Sequence, residues 1–553
     1  MENPEPEDAL PRRASMDPPG STIDRGMCIE KRTNDRLEED GALNSGGPRC
    51  IPSETIHLLG AGCVQRNEDA VGPLRESDPP IVVRDGSAVH RAKERAEGQL
   101  GHSTHARDTN TPSSRVSRTL SELRAKAERA PSHRFRALCR LLDRQMMKEA
   151  FASLRPAAAP GIDGVYWADY AKNLESNLTD LEERLKAGRY RAQCVKRRWI
   201  PKAGGKKLRP LGIPVLEDKI VQQAVSMILG AIWEADFVDE SIGYRPGRGA
   251  QHGSLELREA LDSGTYRWVV EADIRGFFDH VNHGWILRML AYRIADRKLL
   301  ALIAKWLKAG VMETDGRRTN PATGTPQGGV ISPILANIYL HFVQDLWIKR
   351  VVAKHSRGQV LFRRYADDSV VCFECEGDAR AYLRALPDRL AKFGLQLAEE
   401  KSSLVKFNRW EPDQSGKFTF LGFDYYWART RKRKHYVVVK MRTNREKFRA
   451  SLRALKEWLK KARSMRLPDL LTVLRRKLQG YWNYFGVIGN SVMLARYHQA
   501  VYWLLFKWLN RRSQRKSCTW KTYQLLWPAW NLPAPRVRTE LGRSLLPKDA
   551  EPA

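Results

Sequence analysis

The stretch VLFRRYADDSVVCF, residues 360–373, sets two adjacent aspartates, Asp367 and Asp368, between two apolar runs. Apolar flanks around a tight polar centre read as a β-hairpin whose turn carries the acids. Two carboxylates held side by side at the mouth of a buried hairpin repel and raise each other's pKa, so the pair is costly as a stabilising device. A divalent cation removes that cost. Taken alone, two aspartates in a turn are also what an ordinary solvated loop contains, because Asp is a common turn residue. The surrounding segments decide between these readings.

The run YRWVVEAD, from Tyr266 to Asp273, reads as a buried strand that delivers Asp273 at its end. The following IRGFFDHVNH leads into a helix starting near Gly284, with Asp279 suited to cap it. A carboxylate at a strand terminus, beside a hairpin presenting two more, makes a three-acid cluster from segments remote in sequence. Such a cluster suits two Mg²⁺ ions about 3.5 to 4 Å apart, clamping the attacking and leaving oxygens of a phosphoryl transfer.

Bulk properties narrow the partner. The chain has 553 residues, enough for two to four domains, and its 95 Lys+Arg against 63 Asp+Glu give a net charge of +32. That charge points to nucleic acid, since the basic residues are spread along the chain rather than along one amphipathic helix suited to a membrane. No run approaches the roughly 20 apolar residues of a transmembrane helix, and the N-terminus lacks a signal-peptide core. A soluble, cytoplasmic protein is expected. The eight cysteines lack paired metal or disulfide spacing. Cys372 and Cys375 form one C-x-x-C, read as residues on opposite faces of the strand leaving the YADD turn.

Residues 1–115 are rich in Pro, Gly, Ser and charge without sustained periodicity, so disorder is expected there, as a functionless extension or as an electrostatic arm for RNA. Helical spacing begins at SRTLSELRAKAERA and HRFRALCRLLDRQMMKEAFASL and breaks at RPAAAPGIDGV. The middle of the chain alternates strands and helices. Beyond about residue 440 it is almost wholly helical, basic and aromatic.

In order along the chain come Asp273 with Phe277 and Phe278, TGTPQGGVISPILANIYL (323–340), YADD, GLQLAEEKS (394–402) and FLGF (420–423). This order resembles the motifs of reverse transcriptases. GIDGV (161–165), RRWIPKAGGKKLRPLGIP (197–214) and SIGYRPGRGAQHG (241–253) resemble the early blocks of bacterial group II intron-encoded reverse transcriptases, and LRRKLQGYWNYFGVIGN (474–490) resembles their maturase-specific thumb. The resemblance covers about residues 118–530.

It implies a role for each block. Asp273 and Asp367 become the principal ligands of two Mg²⁺, with Asp368 completing the cluster, and Lys401 a general acid for departing pyrophosphate. Phe278 matches a steric gate against the ribose 2′-hydroxyl. Lys202 and Arg209 match residues that grip the triphosphate, a task Lys206 and Lys207 share if the loop register shifts by a residue. Gln327, Gly328 and Gly329 match contacts to the incoming nucleotide and nascent pair, where glycine permits close backbone approach. FLGF matches the primer grip.

In the C-terminal third, Tyr481, Tyr484 and Phe485 share a helical stripe and are expected in the core. Arg475, Arg476, Lys477, Lys507, Arg511 and Arg512, with Arg515 and Lys516, are candidates for phosphate contacts. The chain shows no His/Asn/His nuclease cysteine pattern, so an own nuclease is not expected, and priming from pre-existing DNA ends or an opposite nick is implied. Whether WKTYQLLWPAWNLP forms a short DNA-binding element stays open.

The fold implied is an α+β right-hand polymerase followed by an all-α thumb/maturase domain, after a disordered N-terminal extension. Its divisions are a 1–115 extension, mainly fingers over 116–265, mainly palm over 266–430, a helical thumb/maturase region over 431–535 and a 536–553 tail. The function implied is RNA-directed DNA synthesis, joined to binding of a group II intron RNA, help in its splicing, and mobility by target-primed reverse transcription, nucleoid-associated while it moves. Intron RNA, a DNA primer or target and dNTPs are the partners. The rival readings are a reverse transcriptase recruited to defence, retron-like synthesis or repair, and an RNA chaperone with a silent polymerase.

Overall fold

A computed structural model describes residues 114–201, 208–320, 323–325, 328–430, 435–512 and 518–537. The extension over 1–113 and the residues Lys202, Lys206, Lys207, Gln327, Arg515 and Lys516 lie outside the described residues.

Among the described residues the strands are β1 (Val195–Pro201), β2 (Leu208–Ile213), β3 (Trp268–Ala272), β4 (Val311–Met312), β5 (Arg318–Thr319), β6 (Val360–Tyr365), β7 (Asp368–Phe373), β8 (Ser403–Lys406), β9 (Phe418–Phe420), β10 (Phe423–Arg429) and β11 (Val437–Thr443). They form three sheets, ordered β2-β1-β4-β5, β6-β7-β3-β8 and β11-β10-β9.

The second sheet carries the acids. β3 lies between β7 and β8, antiparallel to both, with Val270 opposite Val371 and Ala272 opposite Ser369. Alternate side chains enter different cores: Val270, Val371 and Phe373 join one apolar cluster, while Val269, Val370 and Cys372 join the other. A sheet buried on both faces explains the apolar cores of β3 (WVV), β6 (VLF) and β7 (VVCF). The first cluster includes helices Leu216–Trp233, Ser332–Leu340 and Glu376–Ala391. The second joins helix Ala250–Asp262, the β9–β11 sheet and the helices of the C-terminal third.

Several local expectations are revised. HRFRALCRLLDRQMMKEAFASL is not one helix: a short 3₁₀ turn, Leu138–Leu141, precedes helix Arg144–Ser153, because Asp143 caps that helix by accepting from Met146 N. Cys372 is buried in β7, but Cys375 lies past the strand's end, immediately before helix Glu376–Ala391, so the two do not share a strand. The helix expected near Gly284 spans His283–Arg293, and its cap is Asn282 rather than Asp279. Asp279 instead lies in the short turn Phe277–His280. β11 falls just inside the stretch read as helical; helices begin at Arg445.

The C-terminal helices are Arg445–Ala462, Leu467–Phe485, Ser491–Leu509 and Trp520–Ala529. Tyr481 and Phe485 are buried as expected, and Tyr481 stacks on Tyr497 with centroids 3.7 Å apart. The buried Asn490 side chain fastens this bundle to β11: it accepts from Thr443 N (2.8 Å) and donates to Thr443 Oγ1 and Phe485 O (both 2.8 Å). No helix among the described residues is long and apolar enough to cross a membrane.

Candidate active site

Tyr365 pairs with Asp368 across the hairpin, leaving Ala366 and Asp367 as the two turn residues. Ala366 is left-handed (φ +57°), which costs a non-glycine residue about 1–2 kcal/mol unless its surroundings impose it. They do. Arg364 Nη1 donates to Ala366 O at 2.9 Å, and Gly243 sits so close that a Cβ there would lie 2.6 Å from Ala366 N. Arg364 is fully buried, with Nε and Nη2 on the Asp345 carboxylate (2.7 and 2.6 Å), Nη2 on Ser241 Oγ (2.7 Å) and Nη1 on Asn337 Oδ1 (3.1 Å). Asn337 donates in turn to Gly243 O at 2.7 Å. Asn337 and Asp345 come from a helix that continues from Ser332–Leu340 into π turns, and Ser241 bridges Arg364 at the edge of β6. This scaffold was missed from the sequence; its one visible signal was an arginine inside an apolar strand.

Asp273 follows β3, and the pairing of Ala272 with Ser369 brings it beside the hairpin acids. Its carbonyl accepts from Ala398 N at 2.8 Å, which draws the GLQLAEEKS segment alongside and brings the Lys401 ammonium onto Asp273 Oδ2. Burial pushes the Asp367 carboxyl up, and the negative charge of Asp273 adds to this against Arg209 and Lys401. Asp368 keeps solvent access at the strand mouth, yet the surrounding protein first, and then Asp367 and Asp273, push it up to about 7.

Among the described residues no three acid, His or Cys side chains are gathered tightly enough to hold an ion as they stand. The expected three-acid metal cluster is therefore not closed among the described residues, although the three carboxylates act on one another electrostatically. Like charges without a cation between them repel, and the Lys401 ammonium already takes one face of Asp273. Unrelieved negative charge on hard oxygen donors, with a cationic side chain standing in, is the donor chemistry that Mg²⁺ fits.

A protonated Asp368 must lose its proton to bind a cation. Without metal the folded state holds that proton more tightly than the unfolded chain does, so stability falls as pH rises from the ordinary carboxylate range through about 7. Mg²⁺ titration calorimetry in buffers of differing ionisation enthalpy should show proton release at roughly pH 6 that fades by roughly pH 8. Asp368→Asn should remove it. Equal proton release at both pH values would contradict this assignment.

Phe278 lies in the turn after Asp273, half-buried, its ring 5.2 Å from Phe277. The TGTPQGG loop is bonded to the same turn: Thr325 N donates to Phe278 O and Gly324 N to Val281 O, both at 2.8 Å. Gly324 is left-handed (φ +95°), and a Cβ there would lie 2.9 Å from Asp279 O, so glycine is needed for this approach. Gly328 (φ +106°) lies against β2, where a Cβ would meet Gly212 O at 3.2 Å, and Gly329 is buried beside it. Arg209 projects from β2, exposed, and its charge reaches both Asp367 and Tyr244.

The primer-grip candidate FLGF is the tight turn between β9 and β10, with Leu421 (φ +50°) and Gly422 (φ +80°) both left-handed. Tyr484 Oη donates to Leu421 O at 3.0 Å, so the C-terminal bundle holds this turn directly.

Of the phosphate-contact candidates, Arg476 and Lys507 are exposed, Lys477 packs over Trp458 at 5.0 Å and Arg511 over Trp508 at 5.7 Å. Arg475 is exposed as well, and its guanidinium donates to Trp530 O (2.8 Å) and Asn531 O (3.4 Å) at the end of helix Trp520–Ala529. Arg512 is half-buried, and its Nε and Nη2 are buried with no hydrogen-bond partner among the described residues.

An antiparallel sheet that brings three acids within electrostatic reach of one another, with Arg209 of a basic β-hairpin beside them and a helical bundle bonded to the FLGF turn, has the layout of a nucleic-acid polymerase palm. Residues 200–425 match the family "Reverse transcriptase (RNA-dependent DNA polymerase)", and residues 448–527 match "Group II intron, maturase-specific domain". The chain is 38% identical over 234 residues to Protein YkfC of Escherichia coli, covering 41% of this chain and 61% of that protein. It is 42% identical over 179 residues to the group II intron-encoded protein LtrA of Lactococcus lactis, covering 32% and 29%. An uncharacterized 91 kDa protein in the cob intron of Schizosaccharomyces pombe is 30% identical over 302 residues, covering 50% and 37%. The matches thus span less than two thirds of each relative. The chain is thus similar to group II intron-encoded proteins over a reverse-transcriptase region followed by a maturase-specific region.

Proposed function

We propose that the protein is an RNA-directed DNA polymerase that also binds a group II intron RNA in the cytoplasm, assists its splicing and supports its mobility. The observation that carries the reading is the convergence of Asp273, Asp367 and Asp368 at one cleft within electrostatic reach of Arg209 and Lys401. Asp273 and Asp367 would hold two Mg²⁺, with Asp368 completing the negative field. Held by these carboxylates, Mg²⁺ would supply Lewis-acid activation of the primer 3′-oxygen and charge neutralisation at the α-phosphate.

The chain's own residues then divide the work. The primer 3′-oxygen bonds to the α-phosphorus while the bond to the β-phosphate oxygen breaks, and Arg209 and Lys202 hold the triphosphate in line. Lys401 carries the proton that the departing pyrophosphate takes up. Phe278, in the turn after Asp273, would clash with a ribose 2′-hydroxyl and so select dNTPs. The bundle of 445–529 presents Arg476 and Lys507 to RNA phosphates and, through Tyr484 and Leu421, couples that binding to the primer turn. The intron RNA itself performs the splicing chemistry.

Purified protein should extend a DNA primer on an RNA template with dNTPs and Mg²⁺, and sequencing of copurified RNA should return a group II intron. Extension without any such RNA would favour a recruited polymerase, and RNA binding without extension a chaperone. Phe278→Val should raise rNTP relative to dNTP kcat/KM by about 10-fold or more, since only the clash is removed. An unchanged ratio would leave Phe278 as core packing.

A further inference from the structure

Tyr244 is a left-handed tyrosine (φ +58°), 54% exposed as a residue and belonging to neither apolar core. A bulky residue in that backbone region costs on the order of 1–3 kcal/mol and persists only where its neighbours impose it. Both neighbours do so. Gly243 is pressed onto the Ala366 backbone and held by Asn337. Arg245 is buried, donating to Val238 O (2.6 Å), Ser241 O (2.7 Å) and the Glu234 carboxylate (2.8 Å). The strain therefore raises one aromatic ring out of the fold, 6.1 Å from the Tyr365 ring and beside Asp367 and Arg209. Among the described residues the ring joins neither apolar cluster, so core packing does not repay it.

Sheet order says what meets this ring. In β6-β7-β3-β8, Asp273 and Phe278 follow β3, whereas residues 240–244 lie along the outer edge of β6 through the Ser241–Arg364 bridge. If the sugar of an incoming nucleotide meets Phe278 beyond β3, the far side of the sheet, at the β6 edge, is where its pairing partner would lie. The flat apolar part of that partner is a base, and base-on-aromatic stacking tolerates every sequence. We infer that Tyr244 stacks on the templating base of the nascent pair and sets how firmly that base is held opposite the incoming nucleotide. This rests on the polymerase reading, with Tyr244 as a residue determining dNTP selection.

The test compares the full-length protein with Tyr244→Gly and Tyr244→Phe on an RNA template carrying 2-aminopurine at the templating position. Glycine adopts the left-handed backbone freely, so Tyr244→Gly should melt at the same or a higher temperature. It should nonetheless lose about 10-fold or more in dNTP kcat/KM, and the quenching of 2-aminopurine on complex formation should disappear. Tyr244→Phe should keep both. A structural role predicts the reverse pattern, with stability changed and kcat/KM preserved. Wild-type quenching and kcat/KM in Tyr244→Gly would overturn the inference. Failure of the unsubstituted protein to extend the primer would overturn the polymerase reading instead, and the fluorescence readout needs no turnover, so the two failures separate.

Discussion

Asp367→Ala is expected to lower primer extension by on the order of 10³-fold or more, with RNA binding unchanged. Asp367 is at the apex of a turn whose shape is imposed by Arg364 and Gly243, so its carboxylate cannot be replaced by a neighbour sliding into place. Asp368 is the next residue along, but it is the first residue of β7 and its backbone is fixed by pairing with Tyr365. The fold does not depend on Asp367. Burial and the charge of Asp273 already disfavour its ionised form, so alanine should leave the metal-free melting temperature unchanged or raised. The Mg²⁺-induced rise in melting temperature should be lost together with extension. Residual extension within tenfold of the unsubstituted protein would remove Asp367 from the reaction centre.

The parts of this site that were legible in the sequence are those built from local pattern. YRWVVEAD and VLFRRYADDSVVCF declare their strands because both faces of the sheet are buried, and the acids stand out as the polar interruption. The imposed conformations were not legible. Nothing local says that Ala366 and Tyr244 are left-handed, because each is set by contacts from segments about 30 to more than 120 residues away: Asn337 and Gly243 for one, Ala366 and Asn337 for the other. The same limit hid the tie that Arg475 makes from its helical stripe to the carbonyls of Trp530 and Asn531. Asp279 failed as a cap for a local reason: Asn282, three residues later, meets the helix start with its own side chain. A periodic pattern reports which face is buried, not which polar group a distant backbone will claim.

That distant support is the basis of the second large effect. Arg364→Met is expected to cost about 3–5 kcal/mol of stability, because it strands a fully buried Asp345 carboxylate without its charge partner. His341 does not take over: its Nδ1 is 4.0 Å from Asp345, and burial, with Arg364 adding to it, lowers its pKa to about 3, so it is neutral at working pH. Replacing both partners, Arg364→Met with Asp345→Leu, removes the unpaired charge and should recover most of the loss, as apolar substitutes for buried ion pairs often do. Activity should not return with it. The double variant still lacks the donor to Ala366 O and leaves Ser241 and Asn337 without their shared guanidinium, so nothing holds the left-handed turn under Asp367. The expected signature is near-normal urea denaturation combined with low kcat and a higher Mg²⁺ requirement, while RNA affinity stays normal. Recovery of both stability and kcat in the double variant would reduce the network to packing. Its failure to recover either would mean that the Arg364 donors to Ala366, Ser241 and Asn337, rather than its charge, hold this part of the palm together.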